Sequence, residues 1–444
     1  MVPSDKPIPR RVVQSCCLLL GLLTWNQLIV DVCHADWLQW RGIDRANRSP
    51  ETDLFDNWES EGPPLEWTAE GLGNGYASVT VAEGVIFTSG NFDDGQAVVA
   101  ISAADGSRLW KRSITGRPPK HGYPGSRTTP TLAGDLLYVV SSQGSVVCLT
   151  QADGRELWRR DFADWDGKMM SSWGFSESPL VDGDLVICTP GGSSGMIVAL
   201  DRYSGTEVWT TTLPSFDEEV GLNGKPLKDG AGYSSAVISY GGGIKQYVQL
   251  VGRGLIGVRA ADGQLLWRYD RVANGTANIP TPIIDGDFVF TSTGYNTGSA
   301  LLKLVGDSNQ DTAGVRVEEV YWLDSKSLQN KHGCMTLFDG HIYCGHGNGN
   351  GLPICVNLET GQTAWGPERA AGKGETSLVY ADGHIIFRRE DGTVILAAAT
   401  PREFDVVATF KPDFQEGKSW AHPVVSGGRL YLREQDRLMS YRLK

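Results

Sequence analysis

Short apolar runs interrupted by tight polar turns recur along the chain. Residues 130–138 contain one such run, broken by Gly134-Asp135, and residues 179–187 contain another, broken by Asp182-Gly183. Asp-Gly suits a two-residue hairpin turn because both central residues of that turn need positive φ. The apolar flanks are continuous rather than alternating, which is typical of strands buried on both faces. The pattern therefore predicts a series of buried β-hairpins.

This hairpin phrase occurs eight times and alternates with a second phrase that ends in tryptophan. The hairpins start at Ser78, Pro130, Pro179, Ser235, Pro282, Met335, Leu378 and Pro423. The second phrase, Asp-Gly-x-x-x-Trp or a close variant, ends at Trp110, Trp158, Trp209, Trp267 and Trp365, and Trp67 and Trp322 fit the same spacing. A period of about 50 residues indicates a propeller or a solenoid. Two hairpin strands followed by two more strands make a four-stranded propeller blade.

The last copy of the repeat is incomplete. Strands are predicted near 422–426, 429–434 and 437–442, and the sequence stops at Lys444 before a fourth. Residues 64–68 carry Trp67 but have no blade before them, so we expect them to supply the missing strand and remove two exposed sheet edges. The predicted fold is all-β, an eight-bladed β-propeller of four-stranded antiparallel blades over residues 64–444. An N-terminal strand closes it, and an N-terminal extension over residues 36–63 precedes it.

The first 35 residues have the organisation of an export signal. Lys6, Arg10 and Arg11 are followed by the apolar run 16–23, and Cys33-His34-Ala35 places small residues at −3 and −1 of a cleavage site. We predict a signal peptide over residues 1–35 and a periplasmic or extracellular protein with no transmembrane domain after cleavage. The alternative is that the segment remains as an uncleaved anchor.

Charge and cysteine content narrow the function classes. The chain has 40 Lys and Arg against 52 Asp and Glu, and it has no basic run. No nucleic-acid partner is expected, because phosphate contacts require clustered cations. Five cysteines would remain after cleavage, an odd number that does not suggest a disulfide framework. Cys334 and Cys344 lie one residue out of register in the predicted hairpin, so we expect no bridge between them.

The tryptophan phrase closely resembles the pyrroloquinoline-quinone (PQQ)-like repeat, and the resemblance covers about residues 64–444. That repeat is found in quinoprotein alcohol dehydrogenases and in BamB outer-membrane assembly lipoproteins. Residues 36–42, Asp-Trp-Leu-Gln-Trp-Arg-Gly, are similar to the mature start of exported bacterial members. The resemblance implies that the repeat tryptophans dock one blade on the next. Quinone-dependent members also use a vicinal cysteine pair, and here the only such pair, Cys16-Cys17, lies in the signal, so no cofactor is expected, with PQQ and calcium as the alternative.

Other motifs do not predict catalysis. Residues 191–195 match the G-x-S-x-G elbow of serine hydrolases, but strands are predicted on both sides, so we expect a hairpin loop. Asp307, Asn309 and Asp311 have the oxygen spacing of a calcium loop, but Thr312 replaces the glycine that its turn requires. We therefore predict no catalytic residues and no metal ligands.

The candidate site lies where the chain enters each innermost strand, because those loops surround the mouth of a propeller's channel. The residues at these positions are unusually aromatic, charged or histidine for turns. They are Arg127, Trp173, Glu177, Tyr233, Asn278, His332, Glu375, Trp420 and His422. In one interpretation they form a single axial pocket, with aromatic rings for stacking and His332, His422, Glu177 and Glu375 for polar contacts. In the other, Trp173 and Trp420 plug the channel and the charges pair with each other.

Three functions are consistent with the sequence. The favoured one is a monomeric, non-catalytic scaffold that binds a protein or glycan ligand at a propeller face. The second is a quinone-dependent dehydrogenase of alcohols or sugars, which rests on resemblance alone. The third is a hydrolase or lyase that uses axial His and Glu residues.

Overall fold

A computed structural model describes residues 36–42, 44–54, 58–59, 61–214, 219–307 and 314–444. These residues form eight four-stranded antiparallel sheets arranged as the blades of a propeller, which confirms the predicted fold class. The predicted signal peptide over residues 1–35 lies outside the described residues. The described helices are the single 3₁₀ turns Phe162–Trp165 and Gly241–Gly243, and neither is long or apolar enough to cross a membrane.

The strands follow the order of the repeat, with the first strand of each blade innermost. The first four blades comprise β2 Thr80–Ala82, β3 Val85–Phe92, β4 Gly95–Ser102 and β5 Arg108–Ser113; β6 Thr131–Ala133, β7 Leu136–Val140, β8 Ser145–Thr150 and β9 Glu156–Asp161; β10 Leu180–Asp182, β11 Leu185–Cys188, β12 Ile197–Asp201 and β13 Glu207–Thr211; β14 Val237–Ser239, β15 Gln246–Val251, β16 Gly254–Arg259 and β17 Leu265–Tyr269. The next three comprise β18 Ile283–Asp285, β19 Phe288–Thr293, β20 Gly298–Asp307 and β21 Gly314–Asp324; β22 Met335–Phe338, β23 His341–His346, β24 Leu352–Asn357 and β25 Thr363–Trp365; β26 Thr376–Ala381, β27 His384–Arg389, β28 Val394–Ala398 and β29 Val406–Phe410. The eighth blade comprises β30 Val424–Ser426, β31 Arg429–Glu434, β32 Arg437–Arg442 and the N-terminal strand β1 Leu65–Ala69.

The two ends of the chain close the ring as predicted. β1 pairs antiparallel with β32, with Thr68 opposite Met439 and Ala69 opposite Leu438. The eighth sheet therefore has the order β1-β32-β31-β30. The N-terminal strand supplies the outer edge that the C-terminal blade lacks.

The hairpin turns are of two kinds, whereas the sequence predicted one. Asp339-Gly340 connects β22 to β23 with positive φ at both residues, as expected for Asp-Gly. In the third blade, by contrast, Asp182 pairs with Leu185, so the central residues are Gly183-Asp184 and only Gly183 has positive φ. The prediction that Asp182-Gly183 forms the turn was therefore wrong by one residue.

The repeat tryptophans pack one blade on the next, as the resemblance implied. Trp110 in the first blade donates from Nε1 to Gln151 O in the second, at 3.1 Å. Its ring lies directly against Gly154, where a Cβ atom would stand 2.7 Å from Trp110 Cε3. Trp158 repeats the contact on Gly205, with its Nε1 2.9 Å from Arg202 O. The glycine of the Asp-Gly phrase thus leaves room for the preceding blade's indole.

Trp322 does not have this role, so its assignment to the repeat was wrong by one residue. Tyr321 occupies the docking position: its hydroxyl donates to Leu358 O at 2.7 Å, and its ring lies against Gly361. Tyr321 also pairs with Leu301 immediately before the bulge in β20 and β21, as Trp110 pairs with Ala100 before its own bulge. An alignment on tryptophan alone misses this substitution.

The motifs that the sequence analysis set aside lie in loops and strands. Residues 191–195 belong to the loop between β11 and β12, which confirms the predicted hairpin loop, and Ser193 donates to Asp166 at 3.0 Å. Asn309 and Asp311 of the calcium-like spacing lie outside the described residues. Met335, not Cys334, pairs with Cys344, as the predicted register requires.

Candidate axial binding site

A cavity of about 390 Å³ lies on the ring axis, at the end where the outer strand of each blade leads into the inner strand of the next. Every one of these eight loops contributes a wall residue. In blade order they include Tyr76, Arg127, Trp173, Tyr233, Thr281, His332, Glu375 and Trp420. The propeller topology therefore gathers residues from 76 to 422 around one space.

Seven of the nine candidate residues from the sequence line this cavity. They are Arg127, Trp173, Tyr233, His332, Glu375, Trp420 and His422. Trp173 and Trp420 both line the cavity. The role of these residues in ligand binding stays a prediction.

Glu177 and Asn278 are not in the cavity lining, although the sequence grouped them with it. The Glu177 carboxylate accepts hydrogen bonds from Thr189 N at 2.6 Å, Thr189 Oγ1 at 2.9 Å and Gln249 Nε2 at 3.1 Å. Burial raises the pKa of Glu177 to about 7. Asn278 Nδ2 donates to the carbonyl oxygens of Val251 and Gly252. Both side chains therefore join neighbouring loops rather than face a ligand.

Sequence reasoning missed several wall residues. Tyr123 and Lys418 lie in loops that also hold predicted residues, but further from the inner strand that follows each loop. Lys331 lies directly before the predicted residue His332. Tyr295 and Glu390 come from the turns between the second and third strands, which open at the same end of a blade. Strand direction alone could have identified those turns. Nothing in the repeat indicated Trp40, which comes from the N-terminal extension.

Trp420 is held within a cluster of aromatic and polar groups. Its ring centroid lies 4.8 Å from that of Tyr76, 5.3 Å from that of Tyr123 and 5.2 Å from that of His332. Its Nε1 donates to Glu390 Oε2 at 2.9 Å. These contacts fix the indole plane in the wall and so provide a preformed flat surface.

A second aromatic pair lies beside Arg127. The ring centroids of Trp173 and Tyr233 are 5.6 Å apart, and Arg127 Nη1 donates to Trp173 O at 2.9 Å. The Arg127 guanidinium also lies 5.5 Å from the centroid of the Tyr76 ring. Arg127 therefore connects the Trp173 pair to the Trp420 cluster.

Two ion pairs occupy the part of the wall formed by the sixth, seventh and eighth blades. Lys331 Nζ lies 3.3 Å from Glu375 Oε1, and Lys418 Nζ lies 2.9 Å from Glu390 Oε1. Burial raises the pKa of Glu375 above its usual value. The cavity wall thus carries three cationic side chains and two carboxylates.

The two histidines of the site are neutral at physiological pH. Burial lowers the pKa of His332 to about 4 and holds that of His422 well below its usual value. His422 Nδ1 lies 3.4 Å from Cys334 Sγ, and its ring centroid is 4.3 Å from that of Trp40. A neutral imidazole offers one donor and one acceptor, so both rings suit polar ligand contacts.

The N-terminal extension forms the floor of the cavity. Arg41 donates to Thr281 O at 3.1 Å and to Met335 O at 2.6 Å, while Arg45 donates to carbonyl oxygens of the third and fourth blades, including Pro179 O at 2.5 Å. At the start of the extension, the backbone N–H of Trp37 donates to Val81 O in β2. Residues 36–42 and 44–49, the channel segment, therefore run through the channel beneath the cavity, and Trp40 lines the inner end of the cavity.

The carboxylates near the axis are engaged by other groups of the protein. No group of three or more His, Cys, Asp and Glu residues in the described ranges is placed to hold a metal ion. Glu375 and Glu390 are engaged by lysines, and Glu177 by Thr189 and Gln249. The five described cysteines are buried and free, and no two are adjacent in sequence.

Comparisons with known proteins relate the chain to one family and to several solved propellers. A family model described as outer membrane protein assembly factor BamB matches residues 93–367. BamB from Moraxella catarrhalis is 14% identical, with a TM-score of 0.55 over 83% of this chain and 94% of that chain. Quinohemoprotein alcohol dehydrogenase from Comamonas testosteroni is 13% identical, with a TM-score of 0.64 over 92% of this chain and 80% of that chain. A quinohemoprotein alcohol dehydrogenase from Pseudomonas putida HK5 is 14% identical, with a TM-score of 0.61 and the same two coverages, 92% and 80%. These identities show a shared fold alone, and no curated protein matches the chain.

Proposed function

Since this chain belongs to the family described as outer membrane protein assembly factor BamB, we propose that it is an exported, non-catalytic binding protein that holds a glycan in its axial cavity. One observation carries the proposal. Seven aromatic side chains line one cavity, together with charged and imidazole groups. They are Trp40, Tyr76, Tyr123, Trp173, Tyr233, Tyr295 and Trp420. Sugar rings pack their C–H faces on aromatic rings, while their hydroxyls need interleaved polar groups.

The polar groups of the cavity favour binding over chemistry. Ser176 donates to Gly174 O at 3.2 Å rather than to a base. The Cys334 thiol contacts His422 but is fully buried, and burial raises its pKa to about 12. A nucleophile needs an exposed oxygen or sulfur beside a base that can take its proton. These two residues lack that arrangement, which supports a non-catalytic role.

Export is part of the proposal. Its support is the signal-like sequence of residues 1–35, with a cleavage site after Ala35. N-terminal sequencing of the protein recovered from a periplasmic or culture fraction should begin at Asp36. An intact Met1 on membrane-bound protein would favour the anchor alternative instead.

Glycan binding can be tested by titrating the purified mature protein with a panel of neutral and acidic oligosaccharides, following tryptophan fluorescence. We expect saturable binding that Trp173→Ala weakens about tenfold, because a ring face is lost from the wall. Tyr203→Ala removes an exposed ring in the turn between β12 and β13, outside the cavity lining, and should leave the affinity unchanged.

A quinone-dependent function would give a different result. Ligand that binds the native state alone raises the melting temperature. A saturable shift with PQQ and calcium, abolished by Trp173→Ala, would overturn the proposal in favour of a dehydrogenase. Absence of binding to every oligosaccharide in the panel would overturn it in favour of a protein ligand.

A further inference from the structure

The charges around the cavity are unevenly paired. Lys331 and Lys418 each have a carboxylate partner, Glu375 and Glu390 respectively. Arg127, the third cation, donates to backbone carbonyls and approaches the His121 ring. The positive charge of Arg127 is therefore stabilised by neutral groups and has no carboxylate partner among the described residues.

The contacts of Arg127 fix its position without neutralising it. Nη2 donates to Tyr123 O at 2.6 Å, and Nη1 donates to Trp173 O at 2.9 Å. The guanidinium is thereby held against the backbone of Trp173 and near the face of Tyr76. Gly125 O and Gly122 O accept further bonds from Nη1 and Nη2, so a ligand carboxylate would meet the positive charge of the guanidinium and its Nε–H rather than the two terminal nitrogens.

The opposite wall sets the orientation of a charged ligand. Arg127 and Trp173 belong to the loops of the second and third blades, and Glu375 and Glu390 to the seventh. In a ring of eight blades the third and seventh positions face each other across the axis, and the second position is next to the third. A ligand carboxylate would be attracted by the unpaired charge of Arg127, whereas Glu375 and Glu390 are already paired with lysines and offer oxygens to which sugar hydroxyls can donate.

We propose that the ligand is an acidic saccharide whose hexuronate ring packs on Trp173 and whose carboxylate lies against Arg127. The inference rests on the proposed glycan-binding function and specifies the chemical class of the ligand. The hydroxyl groups at the other end of the sugar face Glu375 and Glu390.

Pairs of ligands that differ only in charge test whether the ligand's carboxylate contributes to binding. Oligogalacturonates and oligoglucuronates are compared by calorimetry with their methyl esters, which keep the rings and hydroxyls but carry no charge. We expect at least one acid to bind about 10- to 100-fold more tightly than its ester, with the advantage falling as salt rises. Equal affinity of acid and ester for every pair would overturn the acidic-ligand inference and leave glycan binding intact.

Variants test the place of the carboxylate. Arg127→Gln should lower the affinity for the acid to that for the ester, while Arg127→Lys retains the charge and part of the preference. Lys120→Gln removes an exposed cation from the same loop, outside the cavity lining, and should change neither affinity. Melting temperatures of all three report whether the loop held by Arg127 is still ordered.

The outcomes separate the two proposals. A folded Arg127→Gln protein that keeps the full preference for the acid would overturn the assignment to Arg127. Binding of neutral oligosaccharides without any acid would overturn the acidic class alone. Absence of binding to all saccharides, neutral or acidic, is the failure of the proposed function.

Discussion

The contact between Gly154 and Trp110 leads to a sharp prediction about what holds neighbouring blades together. Gly154 has φ +66° and lies under the Trp110 ring, where a Cβ atom would be 2.7 Å from Cε3 and 2.8 Å from Cζ3. Gly134 in the same blade has φ +57°, and a Cβ atom placed there would have nothing within 4 Å. Replacing each with alanine therefore adds the same methyl group and similar backbone strain, but only one methyl meets an indole.

The cost of backbone strain can be separated from the cost of steric overlap with the Trp110 ring. An alanine in the left-handed region costs about 1–2 kcal/mol at either position. Overpacking against a rigid ring costs a further 1–3 kcal/mol or so, because the indole is held by its hydrogen bond to Gln151 O and cannot easily move. We expect Gly154→Ala to lower the unfolding free energy by about 2–5 kcal/mol and Gly134→Ala by about 1–2 kcal/mol.

Urea unfolding of the mature protein, followed by circular dichroism, measures the difference. In a Trp110→Ala background the additional cost of Gly154→Ala should disappear, since the atoms that the methyl meets are gone. Equal destabilisation by Gly134→Ala and Gly154→Ala would refute the docking role of the glycine, as would an undiminished cost of Gly154→Ala without Trp110.

Three other measurements follow from the structure. Burial holds the pKa of Glu177 at about 7, above its ordinary value of 4.5, so the folded state keeps a proton that the unfolded chain loses, and the contribution of Glu177 to the unfolding free energy should fall by about 3 kcal/mol as pH rises from below 4.5 to above 7. The buried His332 and His422 change the stability in the opposite direction, so the test is the difference in urea unfolding free energy between the unaltered protein and Glu177→Gln at the two ends of this range; a difference that does not change with pH would contradict the assignment. Deletion of residues 36–70 removes β1 and the channel segment, so the truncated protein should lose its cooperative melting transition; a melting curve like that of the full mature chain would show that closure is dispensable. The five described thiols are buried, so a thiol reagent should label them only after denaturation, and mass spectrometry showing prompt labelling of the native protein would contradict this.

The sequence predicts the fold well because the same blade pattern occurs eight times. The predicted strands 429–434 and 437–442 coincide with β31 and β32, and the closing strand is displaced by a single residue. The errors arise where a physical role is kept by a different residue. Tyr321 reaches Leu358 O with a hydroxyl where other blades use an indole N–H, so a search for tryptophan selects Trp322 instead.

The candidate site was only partly predictable, for a reason that lies in loop geometry. A residue's distance from the strand start indicates that it is near the axis but not which way its side chain points. Trp173 and Glu177 are in one loop, yet Trp173 faces the cavity and Glu177 turns to Thr189. The channel segment carries no repeat and pairs with strands far along the chain, so local patterns could not place Trp40.

The channel segment has a consequence for the order of events during folding. Arg41 donates to Met335 O across 294 residues, and β1 has no partner until β32, at the other end of the sequence, is present. Contacts between such distant residues form slowly, because the long loops between them must close first. During synthesis the floor of the cavity therefore emerges first and the wall residues Trp420 and His422 last, so the cavity is complete only after the final blade has closed around the beginning of the chain.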